Sequence, residues 1–188
     1  ARQASETGAD VTIVSSDKDL MQLVTDRIIM MDAMKNRVIR EEQVREKFGV
    51  GPERVVDVQA LAGDSTDNVP GIEGIGVKTA AQLINEYGNL DELLKRATEI
   101  KQPKRRERLI DQADMARISR ELVRLDDNVP VRRSWESFAI KKPDPEVLLP
   151  FLKEQNFRSL VTTMEARLCV APSFLEAGSG EENTSIWL

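Results

Sequence analysis

Four aspartates in two pairs are the residues whose type and spacing could do chemistry. Asp17 and Asp19 stand two apart in Ser16-Asp17-Lys18-Asp19, directly after an apolar β run from Val11 to Ser15. Alternate residues of an extended chain share a face, so both carboxylates can point at one cation. The carboxyl end of a buried strand is also where open α/β sheets place their ligand sites. The same D-x-D suits a phosphatase with a nucleophilic Asp, or a plain Asp turn capping the next helix with Lys18 as a surface charge. Asp64 and Asp67 stand three apart, and one helical turn would set them side by side. Like charges that close repel unless a cation or solvent screens them. The plain alternative there is a solvated helix end followed by an Asx turn at Asn68.

The second pair opens a longer stretch, GDSTDNVPGIEGIGVKTAAQLINEYG, from Gly63 to Gly88. Gly71, Gly74 and Gly76 free the backbone for positive φ and for close approach. A helix follows from about Val77, with Ala80, Ala81, Leu83, Ile84 and Tyr87 as its apolar face. Bare N–H groups at a helix start favour an anion, usually phosphate, and Lys78 and Thr79 stand where they can help hold it. Ile72, Ile75 and Val77 are expected to anchor the loop in the core. The Walker spacing is absent, because Val77 separates Gly76 from Lys78. A Gly-rich turn between packed helices is the plain reading. Carboxylates beside a phosphate-seeking loop predict a protein that grips a nucleic-acid backbone next to a metal site.

Composition limits the chemistry further. The 188 residues carry 27 basic and 32 acidic groups, a net charge of −5, so any nucleic-acid affinity must come from local patches. One such patch is Lys95 to Arg108, with Lys95, Arg96, Lys101, Lys104, Arg105, Arg106 and Arg108 against Glu99 and Glu107. It reads equally as a solvated helical face. Histidine is absent, which removes His-based triads and His-ligated zinc. A metal must then sit on oxygen ligands, which favours Mg²⁺ or Mn²⁺. The lone Cys169 permits no internal disulfide and fits a reducing cytoplasm. No apolar run reaches membrane-spanning length, so no membrane association is expected.

The elements that must position these groups are mostly helical. Residues 1–7 read as the end of a helix, stopped at Gly8. Strands are expected over 11–15, 27–31 and 36–40, and a short helix over 20–24. Further helices are expected over 41–48, 52–61, 90–97, 104–112, 114–125, 145–155 and 157–166, with 171–188 as a linker or tail. One parallel-type strand and a short pair are too few for a sheet covered on both faces. The chain therefore reads as the C-terminal part of a larger α/β domain, with strand neighbours expected upstream of Ala1.

SSDKDLMQLV and ALAGDSTDNVPGIEGIGVKTAAQLINEYGNLDELL together closely resemble the 5′-nuclease domain of bacterial DNA polymerase I, which groups with flap endonucleases and phage 5′-exonucleases. The resemblance runs from the first strand to about residue 166. It implies an α/β fold, predominantly helical here, in which part of a Rossmann-like nuclease sheet (residues 1–62) precedes a helix–three-turn–helix DNA-binding region (63–170) and a tail (171–188). It implies Asp17, Asp19, Asp64 and Asp67 as catalytic metal ligands for two Mg²⁺ or Mn²⁺ ions. Gly71, Gly74, Gly76, Lys78, Thr79, Lys104, Arg105 and Arg106 would contact DNA, with a K⁺ among the loop carbonyls. The implied substrate is duplex DNA with a 5′ end or flap, in replication and repair, with a polymerase portion downstream. The family's remaining carboxylates and its helical arch are expected upstream of Ala1, so this piece alone is expected to bind DNA and cleave it slowly or not at all. A non-catalytic duplex-binding module is the alternative from another class.

Overall fold

The computed structural model describes residues 1–169 and 186–187, in two compact units, residues 1–132 with 185–188 and residues 133–184. The first unit opens with α1 (Arg2–Glu6) and β1 (Val11–Val14). A 3-10 turn, Lys18–Leu23, leads to β2 (Ile28–Asp32) and β3 (Arg37–Ile39). Asn36 takes a positive φ of 48° in the turn between the last two. The sheet order is β3-β2-β1-β4, where β4 is Ile186–Trp187. β1 pairs in parallel with β2 and with β4, and β2 pairs antiparallel with β3. The segment read as a tail thus contributes a strand, and β1 has parallel neighbours on both sides within this chain. The rest of 171–188 lies outside the described residues.

Val11, Ile28 and Met30 are buried in the sheet, where β-branched and long apolar side chains fill the pleated face. After β3 come α2 (Glu41–Phe48), a 3-10 turn at Pro52–Arg54, α3 (Val55–Ala62), α4 (Val77–Tyr87), α5 (Leu90–Lys95), α6 (Pro103–Asp111) and α7 (Ala113–Val123). α3 is the centre of the helical part and packs against both α4 and α7. Its Val55, Val58, Ala60 and Leu61 are fully shielded from solvent, each large one worth about 1.5–3 kcal/mol of burial. α4 buries Ala80, Ala81, Leu83, Ile84 and Tyr87, the face its 3.6-residue period predicts. Pro103 opens α6 at the position where a missing N–H costs nothing.

The second unit holds a 3-10 turn at Trp135–Phe138, α8 (Pro145–Glu154) and α9 (Arg158–Cys169). The Asp144 carboxylate caps α8 by accepting from the Glu146 amide at 2.9 Å. Asn156, with φ of 55°, turns the chain into α9, and Lys153 pairs with Glu165 across the hairpin at 3.0 Å. Among the described residues no helix is long and apolar enough to cross a membrane.

Candidate metal centre and nucleic-acid interface

Asp19, Asp64 and Asp67 come together. Each offers a carboxylate oxygen, and the three oxygens lie within 4.8 Å of one another. They meet at the carboxyl end of β1, on the rim of a cleft also lined by Ser16, Asp17, Lys18, Lys47 and Thr66.

Neither pair converges by the route its spacing suggested. β1 ends at Val14, and Asp17 serves as the cap of the 3-10 turn, accepting from the Asp19 amide at 3.0 Å. Asp19 is therefore already helical, and Asp17 stands outside the group of three while lining the same cleft. The Asp64–Asp67 segment is not helical either. α3 stops at Ala62, because Gly63 leaves the helix with φ of 72° and ψ of 177°. Asp64 and Val69 then close a tight loop through two backbone hydrogen bonds, Asp64 N to Val69 O at 2.9 Å and Val69 N to Asp64 O at 2.8 Å. The Asp64 carboxylate accepts from the Thr66 amide at 3.0 Å, and Asn68 takes a φ of 57°, so the loop folds Asp67 back toward Asp64.

Two neighbours that sequence reasoning passed over complete the cluster. Lys18, a surface charge in the plain reading of the Asp turn, places its Nζ on Asp64 Oδ2. Gln59, 2% exposed on α3, donates from Nε2 to Asp19 Oδ1 at 2.5 Å. A polar residue inside the apolar run VVDVQALA was the available signal for it. Burial pushes the Asp64 carboxyl up, but the Lys18 ammonium and the Thr66 amide outweigh it and hold it below its ordinary value. The Asp64 carboxylate in turn lifts Lys18 above the usual lysine range, against its partial burial. Lys47, on the last turn of α2, is pulled down by burial, with the charge of Lys18 adding to the effect. A set of hard carboxylate oxygens suits a hard divalent cation.

The glycine loop continues from the same point. Gly63 and Gly71 stack backbone on backbone: a Cβ on Gly71 would sit 2.3 Å from the Gly63 nitrogen, and one on Gly63 would sit 2.7 Å from the Val69 carbonyl oxygen. The Gly71 amide turns inward to Ser119 Oγ of α7 at 3.1 Å, so it does not face a ligand. Ile72 and Ile75 are buried, as anchors must be, while Val77 stays 38% exposed and is no anchor. α6 and α7 hold the loop from behind: Arg108 donates to the Glu73 carbonyl at 3.1 Å and to its carboxylate at 2.8 Å, and Gln112 Oε1 accepts from the Glu73 amide at 3.0 Å. Gly74 and Gly76 are solvent-facing, Lys78 is exposed and Thr79 half-buried in the first turn of α4.

The basic patch is largely engaged. Lys95 pairs with Glu92, and Arg96 with Glu99 while stacking 4.9 Å from the Tyr87 ring. Arg106 donates to the Ile100 carbonyl at 3.2 Å, and Arg108 is the loop clamp already described. Among the described residues this leaves Lys101, Lys104 and Arg105 with neither an ion pair nor a side-chain hydrogen bond inside the protein.

Residues 1–49 match the family described as the 5′–3′ exonuclease N-terminal resolvase-like domain, and residues 50–146 match the 5′–3′ exonuclease C-terminal SAM fold. The DNA polymerase I of Rhizobium leguminosarum is 56% identical over 169 residues, which is 90% of this chain and 16% of that protein. A 5′–3′ exonuclease of Aquifex aeolicus is 36% identical over 165 residues, 88% of this chain and 56% of that one. The chain thus spans between about a sixth and about half the length of these relatives. In fold it resembles the bacteriophage T5 flap endonuclease, solved in complex with DNA and metal ions, at a TM-score of 0.60 and 24% identity over 65% of this chain and 45% of that one. From its two family matches and its near relatives, this chain belongs to the 5′–3′ exonuclease family.

Proposed function

We propose that this chain forms part of a structure-specific 5′-nuclease that hydrolyses phosphodiesters at the 5′ ends or flaps of duplex DNA, within a DNA polymerase I of replication and repair in the bacterial cytoplasm. The observation that carries the reading is the convergence of Asp19, Asp64 and Asp67 within 4.8 Å, one tight loop away from a glycine-rich helix start. In this reading residues 1–62 supply the α/β wall of the site and residues 63–170 the grip on DNA. Asp19, Asp64 and Asp67 hold divalent Mg²⁺ or Mn²⁺, and Asp17 orders Asp19 through its amide and lines the cleft. Two such ions, when bound, would supply Lewis-acid activation of water and stabilise charge on the phosphate. Gly74, Gly76, Lys78 and Thr79 face the backbone of the duplex, with Lys104 and Arg105 as further free cations, while Gly71 and Arg106 maintain the surface from within. Loop carbonyls between residues 70 and 76 offer a place for K⁺.

Cleavage of a 5′-flap duplex in Mg²⁺, beside the same reaction in EDTA, tests the reading. Supplied with the remainder of its nuclease domain, the chain should cleave in Mg²⁺ and lose that activity in the Asp67→Asn variant, which keeps the loop but removes a ligand; alone it should cleave slowly or not at all. A chain that binds duplex and never cleaves it, even when supplied with the remainder of its nuclease domain, would instead be a duplex-binding module. Turnover of small phosphate esters without DNA affinity would overturn both.

A further inference from the structure

The three clustered carboxylates bring three negative charges to one small volume, and among the described residues only one cation pairs with them. That cation is Lys18, which rises from the same 3-10 turn as Asp19 and sets its ammonium on Asp64 Oδ2. The Asp64 side chain is 5% exposed and Lys18 29% exposed, so the contact is sheltered on the carboxylate side and open to the cleft on the lysine side. Gln59 and the Thr66 amide, which also contact the cluster, are neutral and add no charge. Lys47 lines the cleft but forms no ion pair among the described residues.

We propose that Lys18 is the built-in counter-ion of the carboxylate cluster and competes directly with the divalent cation for Asp64. This rests on the metal reading above and adds a claim about affinity. An ammonium on Asp64 Oδ2 and a divalent cation among the three carboxylates would be like charges in near contact, and they repel strongly in a sheltered site. Loading the site therefore expels Lys18 into the cleft, where Ser16, Thr66 and Lys47 stand and where a phosphate would approach. The metal-free protein keeps its cluster from repelling itself apart, and metal affinity is set lower than the carboxylates alone would give. A purely supporting role would have the opposite sign, since removing a prop from a ligand weakens metal binding.

Mn²⁺ titration followed by electron paramagnetic resonance of the free ion decides it, alongside melting in EDTA. Lys18→Met should tighten Mn²⁺ binding on the order of ten-fold, the worth of one sheltered ion-pair contact no longer surrendered. The same variant should melt lower than the parent in EDTA. Lys18→Arg, which keeps the charge, should bind Mn²⁺ close to the parent. Should Lys18→Met be too unstable to measure without metal, Lys18→Gln replaces it and should tighten binding less but in the same direction. Equal or weaker Mn²⁺ binding by the uncharged variants overturns the competition while leaving the metal site standing. A parent that binds no Mn²⁺ sinks the metal reading itself, and the competition with it.

Discussion

The carboxylate cleft and the glycine loop share a seam at Gly63, yet different forces hold them. The cleft is held by charge: three acids, one lysine, one buried amide and a capped 3-10 turn. The loop is held by shape: two glycines in backbone contact, two buried isoleucines and a clamp from α6 and α7. On the proposed reading, a site that exchanges ions is built from compensable charges, which a cation can replace, and a surface that keeps one form against a duplex is built from contacts that nothing in solution can replace.

The sharpest way to break that contrast is Gly71→Ala. With φ at 63° and a Cβ that would meet backbone atoms at 2.3 Å, the loop must move. A loss of about 2–4 kcal/mol in urea unfolding is expected. Gly76→Ala, at φ of −91° with open space around it, should change stability by less than about 0.5 kcal/mol.

The charge side breaks next. Spacing alone suggests that removing Asp64 relieves repulsion; the Lys18 pair reverses the sign. Asp64→Asn in EDTA should cost about 1–3 kcal/mol at neutral pH. Because the native Asp64 carboxyl lies below its unfolded value, its contribution is present above about pH 4 and is lost as pH falls through the native value. The mutant and parent should therefore converge in acid, which melting curves from pH 7 downward will register. Lys78→Ala belongs to the loop and should leave melting unchanged, while weakening duplex binding alike for all sequences and lowering the salt slope by about one.

The smallest effect is at Asp57, behind both regions. Burial pushes its carboxyl up, against the Leu90 amide and the charge of Arg120. A raised native value means the charged form is disfavoured in the fold, so stability falls as pH rises through that interval. Asp57→Asn can still accept from the Leu90 amide and should raise the melting temperature at pH 7 by on the order of 1 °C, with the gain gone below about pH 4.

Much of the fold was legible because local rules agreed with the packing. α2 runs over the predicted residues, stopped by Gly49 at φ of 73°, and the apolar face of α4 lies where the helical period puts it. What misled was the use of ideal periodicity across a boundary. Asp17 caps a turn that starts at Lys18, two residues earlier than the helix expected at Leu20, so the extended-chain argument for Asp17 and Asp19 failed. Asp64 and Asp67 meet through a closed loop whose Asp64–Val69 bridge has no signature in spacing. The partners of Lys18, Gln59 and Ser119 were invisible for a common reason: each acts on a residue at least 40 positions away. The pairing of β4 with β1 joins segments about 175 residues apart, beyond any local pattern.

The clamp of Arg108 and Gln112 on Glu73 has a thermodynamic consequence. A loop already pinned by α6 and α7 has little freedom left to lose when a duplex settles on it. Calorimetry of duplex binding should then register a modest heat-capacity change and a favourable entropy from released counterions, without the large ordering penalty of a segment that folds as it binds. Cutting the clamp with Arg108→Ala should leave the phosphate contacts nominally in place and move the cost of binding into entropy.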